Sequence, residues 1–263
     1  QGGDKVKQVD LRLPFDNNIF HLYGSERDKS VIGTIESNHG YYEPHIINFL
    51  KKNIGSHFVC IDIGANIGAI SLPLGYIATS GIVYSFEASK SNFAYLRKNI
   101  MSNNVKNIEP INMGVYSKKC QLDFSYVEEV AGCSFLSTVG VKEGVSEVID
   151  CIRLDDWIIE NNIQKVDFIK LDVEGAEIHA INGSLNTFRN LKPDLIVEFN
   201  PIPIERFFGE KPENLYFLLT NIFPNVFLID DPSGALIKIH SYPQLIDIVR
   251  TRKGWEDLYC TFR

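Results

Sequence analysis

The chain has 263 residues and a formal net charge of −7, with an isoelectric point near 5.4. That balance argues against a general attraction to nucleic acid or to an anionic membrane and points to a small-molecule partner. With 44% hydrophobic residues and 17 phenylalanines, the chain can bury the core of one large α/β domain. Five cysteines, Cys60, Cys120, Cys133, Cys151 and Cys260, are odd in number and lack CxxC spacing, which argues against a disulfide framework and a cysteine zinc site. No apolar run approaches the length of a membrane span and Gln1–Leu13 is too polar for a signal peptide, so a cytoplasmic protein is expected.

Residues 1–40 mix short apolar runs with polar turns and read as an N-terminal appendage, leaving 41–263 as the main domain. Residues 43–52 place Ile46, Ile47, Phe49 and Leu50 on one side, as an amphipathic helix does, with Pro44 tolerated in its first turn. Buried-strand patterns follow at 58–63, 82–87, 108–115, 168–172 and 195–199. Segments of helical spacing separate them at 67–78, 92–103, 154–162, 176–186 and 214–223, which predicts a mostly parallel, doubly wound sheet. Residues 226–230, 235–240 and 258–262 are candidates to close one edge, with an antiparallel strand among them. Between about 116 and 150 the helical period fails, and this stretch reads as an insertion on the substrate side.

Gly64 follows the apolar strand directly and Gly68 sits four residues on, so a strand, a glycine turn and a helix start succeed one another. A tight turn needs glycine for its backbone angles alone. Glu87, however, ends the next strand, where α/β nucleotide sites present a carboxylate to ribose hydroxyls. A dinucleotide oxidoreductase uses the same arrangement. Its fingerprint needs a middle glycine where this chain has Asn66, so a diphosphate fits poorly. S-adenosylmethionine carries no phosphate, and Asp62 stands where a carboxylate can meet its ammonium group.

The run Lys170-Leu171-Asp172-Val173-Glu174-Gly175-Ala176-Glu177 leads from the fourth strand through a turn into a helix. Glu174 and Glu177 could simply complement a helix N-terminus. A carboxylate ending an apolar strand, as Asp172 does, is normally kept for a partner. Asp172, Glu174 and Glu198 are the candidate bases for removing a proton from a substrate hydroxyl. A carboxylate cluster could alternatively hold a divalent ion, although no spacing requires a metal and the six histidines show no paired ligand spacing. Asn200-Pro201-Ile202-Pro203 superficially resembles the Asn-Pro-Pro-aromatic signature of DNA methyltransferases, but it follows the wrong strand and lacks the aromatic residue. It reads as a proline-rich loop.

Five segments together resemble the FkbM family of methyltransferases: Gly40-Tyr41-Tyr42-Glu43-Pro44, Asp62-Ile63-Gly64-Ala65-Asn66-Ile67-Gly68, Phe86-Glu87-Ala88, Arg153-Leu154-Asp155-Asp156, and the run from Ile169 to Glu177. The resemblance implies a seven-stranded, Rossmann-like class I fold and O-methylation of a hydroxyl on a sugar, glycan or other natural product. It implies that Asp62, Gly64, Asn66 and Gly68 hold the methionine end of S-adenosylmethionine. Glu87 with Ala88 would meet the ribose, and the strand end at Asn112 the adenine. Asp172 would lie near the transferring methyl, while Glu43 would either reach the cofactor or serve its helix. Ser134 and Glu177 are the candidate substrate contacts. Where the family commonly has a proline beside the ribose glutamate, this chain reads Glu87-Ala88-Ser89. A homologue that binds cofactor without catalysis, acting as a regulatory protein, remains the second alternative beside the oxidoreductase.

Overall fold

The structure is a computed structural model in which residues 5–126, 134–136 and 145–263 are described. It opens with an antiparallel hairpin, β1 (Val6–Arg12) and β2 (Ile19–Ser25), and a short helix, α1 (Ile32–Ser37). Asp28 holds the start of that helix by accepting from the backbone N–H groups of Ser30 and Val31 at 2.9 and 3.0 Å. Leu11, Leu22, Ile32 and Ile35 from these elements share one buried cluster with Ile46 and Ile47 of α2 (Pro44–Asn53). Apolar residues between Val9 and Ile35 therefore share a core cluster with α2.

Next come β3 (Val59–Ile63), α3 (Ser71–Ile77), β4 (Ile82–Phe86), α4 (Lys90–Ser102) and β5 (Ile108–Ile111). The chain then leaves for a small sheet made of β6 (Gly114–Val115), β7 (Cys120–Tyr126), β8 (Ser134–Leu136) and β9 (Val145–Ile152), in the order β6-β9-β7-β8. This sheet occupies the segment read as an insertion. It returns through α5 (Leu154–Glu160), β10 (Phe168–Leu171), α6 (Glu177–Asn182), α7 (Leu185–Leu191) and β11 (Asp194–Phe199). The last elements are α8 (Pro201–Phe208), α9 (Pro212–Ile222), β12 (Asn225–Ile229), β13 (Leu236–Lys238), α10 (Tyr242–Thr251) and β14 (Glu256–Thr261).

The large sheet has the order β13-β12-β14-β11-β10-β3-β4-β5. The five strands β3, β4, β5, β10 and β11 pair in parallel. Strand β14 lies antiparallel between β11 and β12. This is the Rossmann-like class I arrangement, with β13 added to the seven expected strands as a hairpin partner of β12. Strand order reverses between β3 and β10, which places the ligand crevice at their carboxyl ends. One core cluster covers each face. Cys60, Val83, Phe168 and Ile196 belong to the first, and Ile61, Ile63, Ile169 and Leu171 to the second.

Local chemistry explains where the predicted boundaries move. The helix expected from residue 67 starts at Ser71, because Asn66 and Gly68 adopt φ of 50° and 97° and extend the turn. The strand expected over 108–115 splits, since Gly114 pairs with Cys151 on β9 instead of continuing along β4. The helix expected over 176–186 breaks at Gly183, where a Cβ would sit 2.0 Å from the Tyr116 carbonyl oxygen. The proline-rich stretch read as a loop begins helix α8, whose first turn tolerates proline because its N–H groups have no intrahelical partner.

Gly64 is the position with least freedom. Its φ is 85°, and a Cβ there would lie 1.7 Å from the carbonyl oxygen of Asp172. Gly64→Ala is expected to cost about 3 kcal/mol or more of folding stability, since both strain and backbone overlap oppose it. Urea denaturation reads this directly, and a loss below about 1 kcal/mol would contradict the close packing of the two turns.

Candidate active site

The carboxyl ends of β3, β4 and β10 surround a cleft of about 820 Å³, counted to its open mouth. Val31 and Tyr42 from the N-terminal segments complete its wall. The glycine turn folds over β4: the N–H groups of Gly64 and Ala65 both donate to the Phe86 carbonyl at 2.9 Å. This leaves Asn66, in the left-handed region that asparagine tolerates, to donate its N–H to Glu87 Oε2 at 2.8 Å. Ser89 N–H donates to Oε1 of the same carboxylate at 2.9 Å. Burial nevertheless pushes Glu87 up to about 7, against these two amides. Asn112 does not line the cleft; its side-chain amide donates to the carbonyl groups of Glu87 and Ala88 at 2.8 and 3.1 Å and so fixes the loop that presents them.

Beneath the cleft runs a polar row. Ser85, Asp62 and Lys170 occupy one register of β4, β3 and β10. The Ser85 hydroxyl donates to Ser71 Oγ at 2.9 Å and Ser71 donates to Asp62 Oδ2 at 2.6 Å. Asp62 Oδ1 is buried without a partner. Burial raises the Asp62 carboxyl above its ordinary range, opposed by Lys170 and by the Ser71 hydroxyl. Lys170, 4% exposed, donates from Nζ to Asp172 Oδ2 at 2.8 Å. Burial alone would lower its pKa, but the negative charges of Asp172, Glu43 and Asp62 outweigh that and raise it. The sequence reading passed over Lys170. Its signal was a lone cation in an otherwise apolar central strand, which needs an opposite charge.

Of the candidate residues, Asp62, Gly64, Asn66, Glu87, Ala88, Asp172 and Glu174 line the cleft together. Gly68, Glu43, Glu177 and Glu198 do not line it. Gly68 packs toward Leu96. Glu177 spends Oε1 on the N–H groups of Val173 and Gly175, at 3.2 and 3.0 Å, and so stabilises its own turn. Glu43 caps nothing with its side chain; its Oε2 is buried without a partner, and burial, opposed by Lys170, pushes it up to about 7. Glu198, on β11, is 9% exposed with Oε2 unpartnered, and burial followed by the charges of Asp172 and Glu174 raises it well above the carboxylate range. Ser134 falls on β8, where the backbone is described and the side chain is not; residues 127–133 and 137–144 lie outside the described residues.

Histidines sort as expected except one. His21, His39, His57 and His240 are exposed and His179 is half-buried, whereas His45 is only 3% exposed. Its ring lies between Asp231 and Asp257, each 3.5 Å away. Among the described residues no group of three or more His, Cys, Asp or Glu side chains is placed to hold a metal ion, and no helix is long and apolar enough to cross a membrane.

Glu174 sits in the left-handed region at φ 51°, and burial together with the charges of Asp172 and Glu177 pushes it up to about 9. The unfolded chain ionises this group near its ordinary value, so the native state holds an extra proton between those two pH values. Its contribution to stability is therefore intact at low pH and declines as pH rises toward 9. Glu174→Gln is expected to stabilise the protein by about 2 kcal/mol or more at pH 9, with no gain at pH 4.5. Denaturant melts at the two pH values test this, and an equal gain at both would refute the assignment.

The sequence profile of the methyltransferase FkbM domain matches residues 62–228. Methyltransferase 1 of Beauveria bassiana (strain ARSEF 2860) is 23% identical over 156 residues, 52% of this chain, and the match spans only 63% of that protein's length. Hexuronic acid methyltransferase AglP of Haloferax volcanii is 25% identical over 179 residues, 68% of each protein. Among solved structures, precorrin-6y C5,15-methyltransferase from Geobacter metallireducens GS-15 aligns with a TM-score of 0.46 at 9% identity, covering 84% of this chain and 89% of that one. The N-terminal domain of human METTL16 in complex with SAH aligns with a TM-score of 0.42 at 14% identity, covering 83% and 68%. The profile match begins at Asp62, spans the polar row and the turn after β10, and takes in well over half the chain, so this protein belongs to the FkbM family of methyltransferases.

Proposed function

We propose that this protein transfers a methyl group from S-adenosylmethionine to a hydroxyl oxygen of a small molecule or glycan. One observation carries the reading: a buried, unpartnered carboxylate oxygen, Asp62 Oδ1, and a second carboxylate, Glu87, both line one cleft at the end of neighbouring strands. Asp62 offers an acceptor for an ammonium group, and Glu87 has lone pairs left for two ribose hydroxyls. The cleft fits this cofactor better than a dinucleotide. The Asn66 amide, which a diphosphate would use, is committed to Glu87, and Gly64 is glycine because the Asp172 backbone presses on it. Asn66 and the 64–66 turn would hold the methionine end, Glu87 and Ala88 the ribose, and Met113 to Val115 the adenine side.

The cofactor supplies an electrophilic methyl group when bound. What the chain supplies is position and a proton acceptor. Asp172 faces the cleft with one oxygen held by Lys170, so the other is presented to an incoming hydroxyl and takes its proton. Glu174, which keeps its own proton at neutral pH, donates a hydrogen bond from the opposite side of the turn rather than competing as the base. Val31, Ala69 and Ile70 form an apolar wall that keeps water from the reacting face. The relative AglP is by its name a hexuronic acid methyltransferase, which favours a sugar hydroxyl as the acceptor of this chain too.

Calorimetric titration should show binding of S-adenosylmethionine and S-adenosylhomocysteine and none of NAD; NAD binding alone would overturn the reading. Glu87→Gln should weaken cofactor binding about tenfold, the worth of one charge-assisted hydrogen bond. Asp172→Asn should lower turnover by about 100-fold or more while cofactor affinity falls by less than about tenfold. S-adenosylhomocysteine release, assayed over a panel of glycans and hydroxylated metabolites, identifies the acceptor, and undiminished turnover in Asp172→Asn would remove Asp172 from the role of base.

A further inference from the structure

Lys170 joins the two halves of the cleft. Its strand pairs in parallel with β3 so that Lys170 stands beside Asp62, and its Nζ lies 2.8 Å from Asp172 Oδ2. Alternation puts Lys170 on the same sheet face as Phe168, and Asp62 on the same face as Cys60, both members of one apolar cluster. The charged row therefore shares its sheet face with that apolar cluster, and both Asp62 and Lys170 line the cleft. Three carboxylates act on this ammonium, those of Asp172, Glu43 and Asp62. One cation thus serves three anions, and two of them, Asp62 through Oδ1 and Glu43 through Oε2, retain buried oxygens without partners. Such a cluster has room for added positive charge, and whatever changes the charge on one carboxylate redistributes the hold of the ammonium on the others.

We propose that Lys170 is a positioning residue shared by both half-sites, dividing its single charge between Asp62 on the cofactor side and Asp172 on the acceptor side, so that each carboxylate sets how firmly the other engages its ligand. The proposal rests on the methyl-transfer reading for what binds at each carboxylate. Lys170 makes and breaks no bond in it. When the amino group of the cofactor settles on Asp62, the ammonium is left to Asp172, which is then locked in the orientation that meets a hydroxyl. When Asp172 loses its charge, the ammonium falls back on Asp62 and competes there with the cofactor's amino group. Because coupling between binding events is reciprocal, the second effect measures the first.

A double-mutant cycle on the full chain tests this, with S-adenosylmethionine as the probe, no acceptor present and binding read by calorimetry. Asp172→Asn is expected to weaken binding about fivefold in the parent, and by less than about twofold when Lys170→Met is already present. Titration in two buffers of different ionisation enthalpy gives a second readout that a purely structural role would not move. Lys170 holds the carboxyls of Asp62 and Glu43 lower than burial alone would, so its replacement raises both and cofactor binding should release more protons than in the parent. Lys170→Gln replaces Lys170→Met if the latter fails to fold. An Asp172→Asn effect of equal size in both backgrounds, with unchanged proton release, overturns the shared role and leaves the methyl-transfer reading standing. A parent protein that binds no S-adenosylmethionine overturns that reading first.

Discussion

A fully buried ammonium in the middle of a parallel sheet is the constraint around which the cleft is arranged. Desolvating a charge of this kind costs several kcal/mol unless paired and hydrogen-bonded anions compensate it. The fold meets that demand at the point where strand order reverses. Asp62 arrives from β3 at the same register, Asp172 closes from the turn after β10, and Glu43 approaches from the start of α2. The anions that neutralise Lys170 are also the ones that face the cleft or lie against it. With three carboxylates gathered around one ammonium, the electrostatics of the core and the geometry of the site are one problem with one solution.

Backbone strain follows from the same crowding. The turn after β3 and the turn after β10 are pressed together until Gly64 has no room for a side chain beside the Asp172 carbonyl. Glu174 is held in the left-handed region, and Gly175 behind it adopts φ 103° where a Cβ would strike the Pro203 backbone of α8. Strain of this kind persists only where the surrounding structure over-determines it. Here Glu177 supplies much of that determination by accepting from the amides of Val173 and Gly175. A carboxylate that the sequence suggested for substrate contact thus serves the turn that aims its neighbours.

The sheet, its helices and the gathering of residues at the ends of β3 and β4 were legible because they are written in local patterns. Near-continuous apolar runs of strand length mark the five parallel strands, and Asp62, Gly64, Asn66 and Glu87 stand at or just beyond the strand ends set by those runs. The rest depended on tertiary neighbours. No sequence window shows that Asn112 turns inward to the Glu87 and Ala88 carbonyls, or that Glu177 turns back on its own backbone. Lys170 was readable in principle, as a charge inside an apolar strand, but its partners lie 2, 108 and 127 positions away along the chain by their residue numbers. The first forty residues read as an appendage because their apolar positions are short and irregular; their partners lie on α2, and only the folded chain shows that both fill one core.

That last point bears on how the cleft is walled. The matched profile starts at Asp62, so Val31, Tyr42 and Glu43, which wall or charge the cleft, come from sequence ahead of it. On the other side the chain departs from the large sheet at Gly114, which lines the cleft and pairs with Cys151 of β9. A Cβ there would stand 2.9 Å from Cys151 Sγ, so a larger residue would make that thiol turn aside. The side of the cleft made by β3, β4 and β10 is therefore fixed by strands whose packing tolerates little change, whereas both flanks of the cleft are built by segments attached to those strands at a few points. Variation in the flanks alters the shape of the cleft without disturbing Lys170, Asp62 and Asp172, which the central strands and the turn after β10 hold, whereas Glu43 reaches the same cluster from a flank.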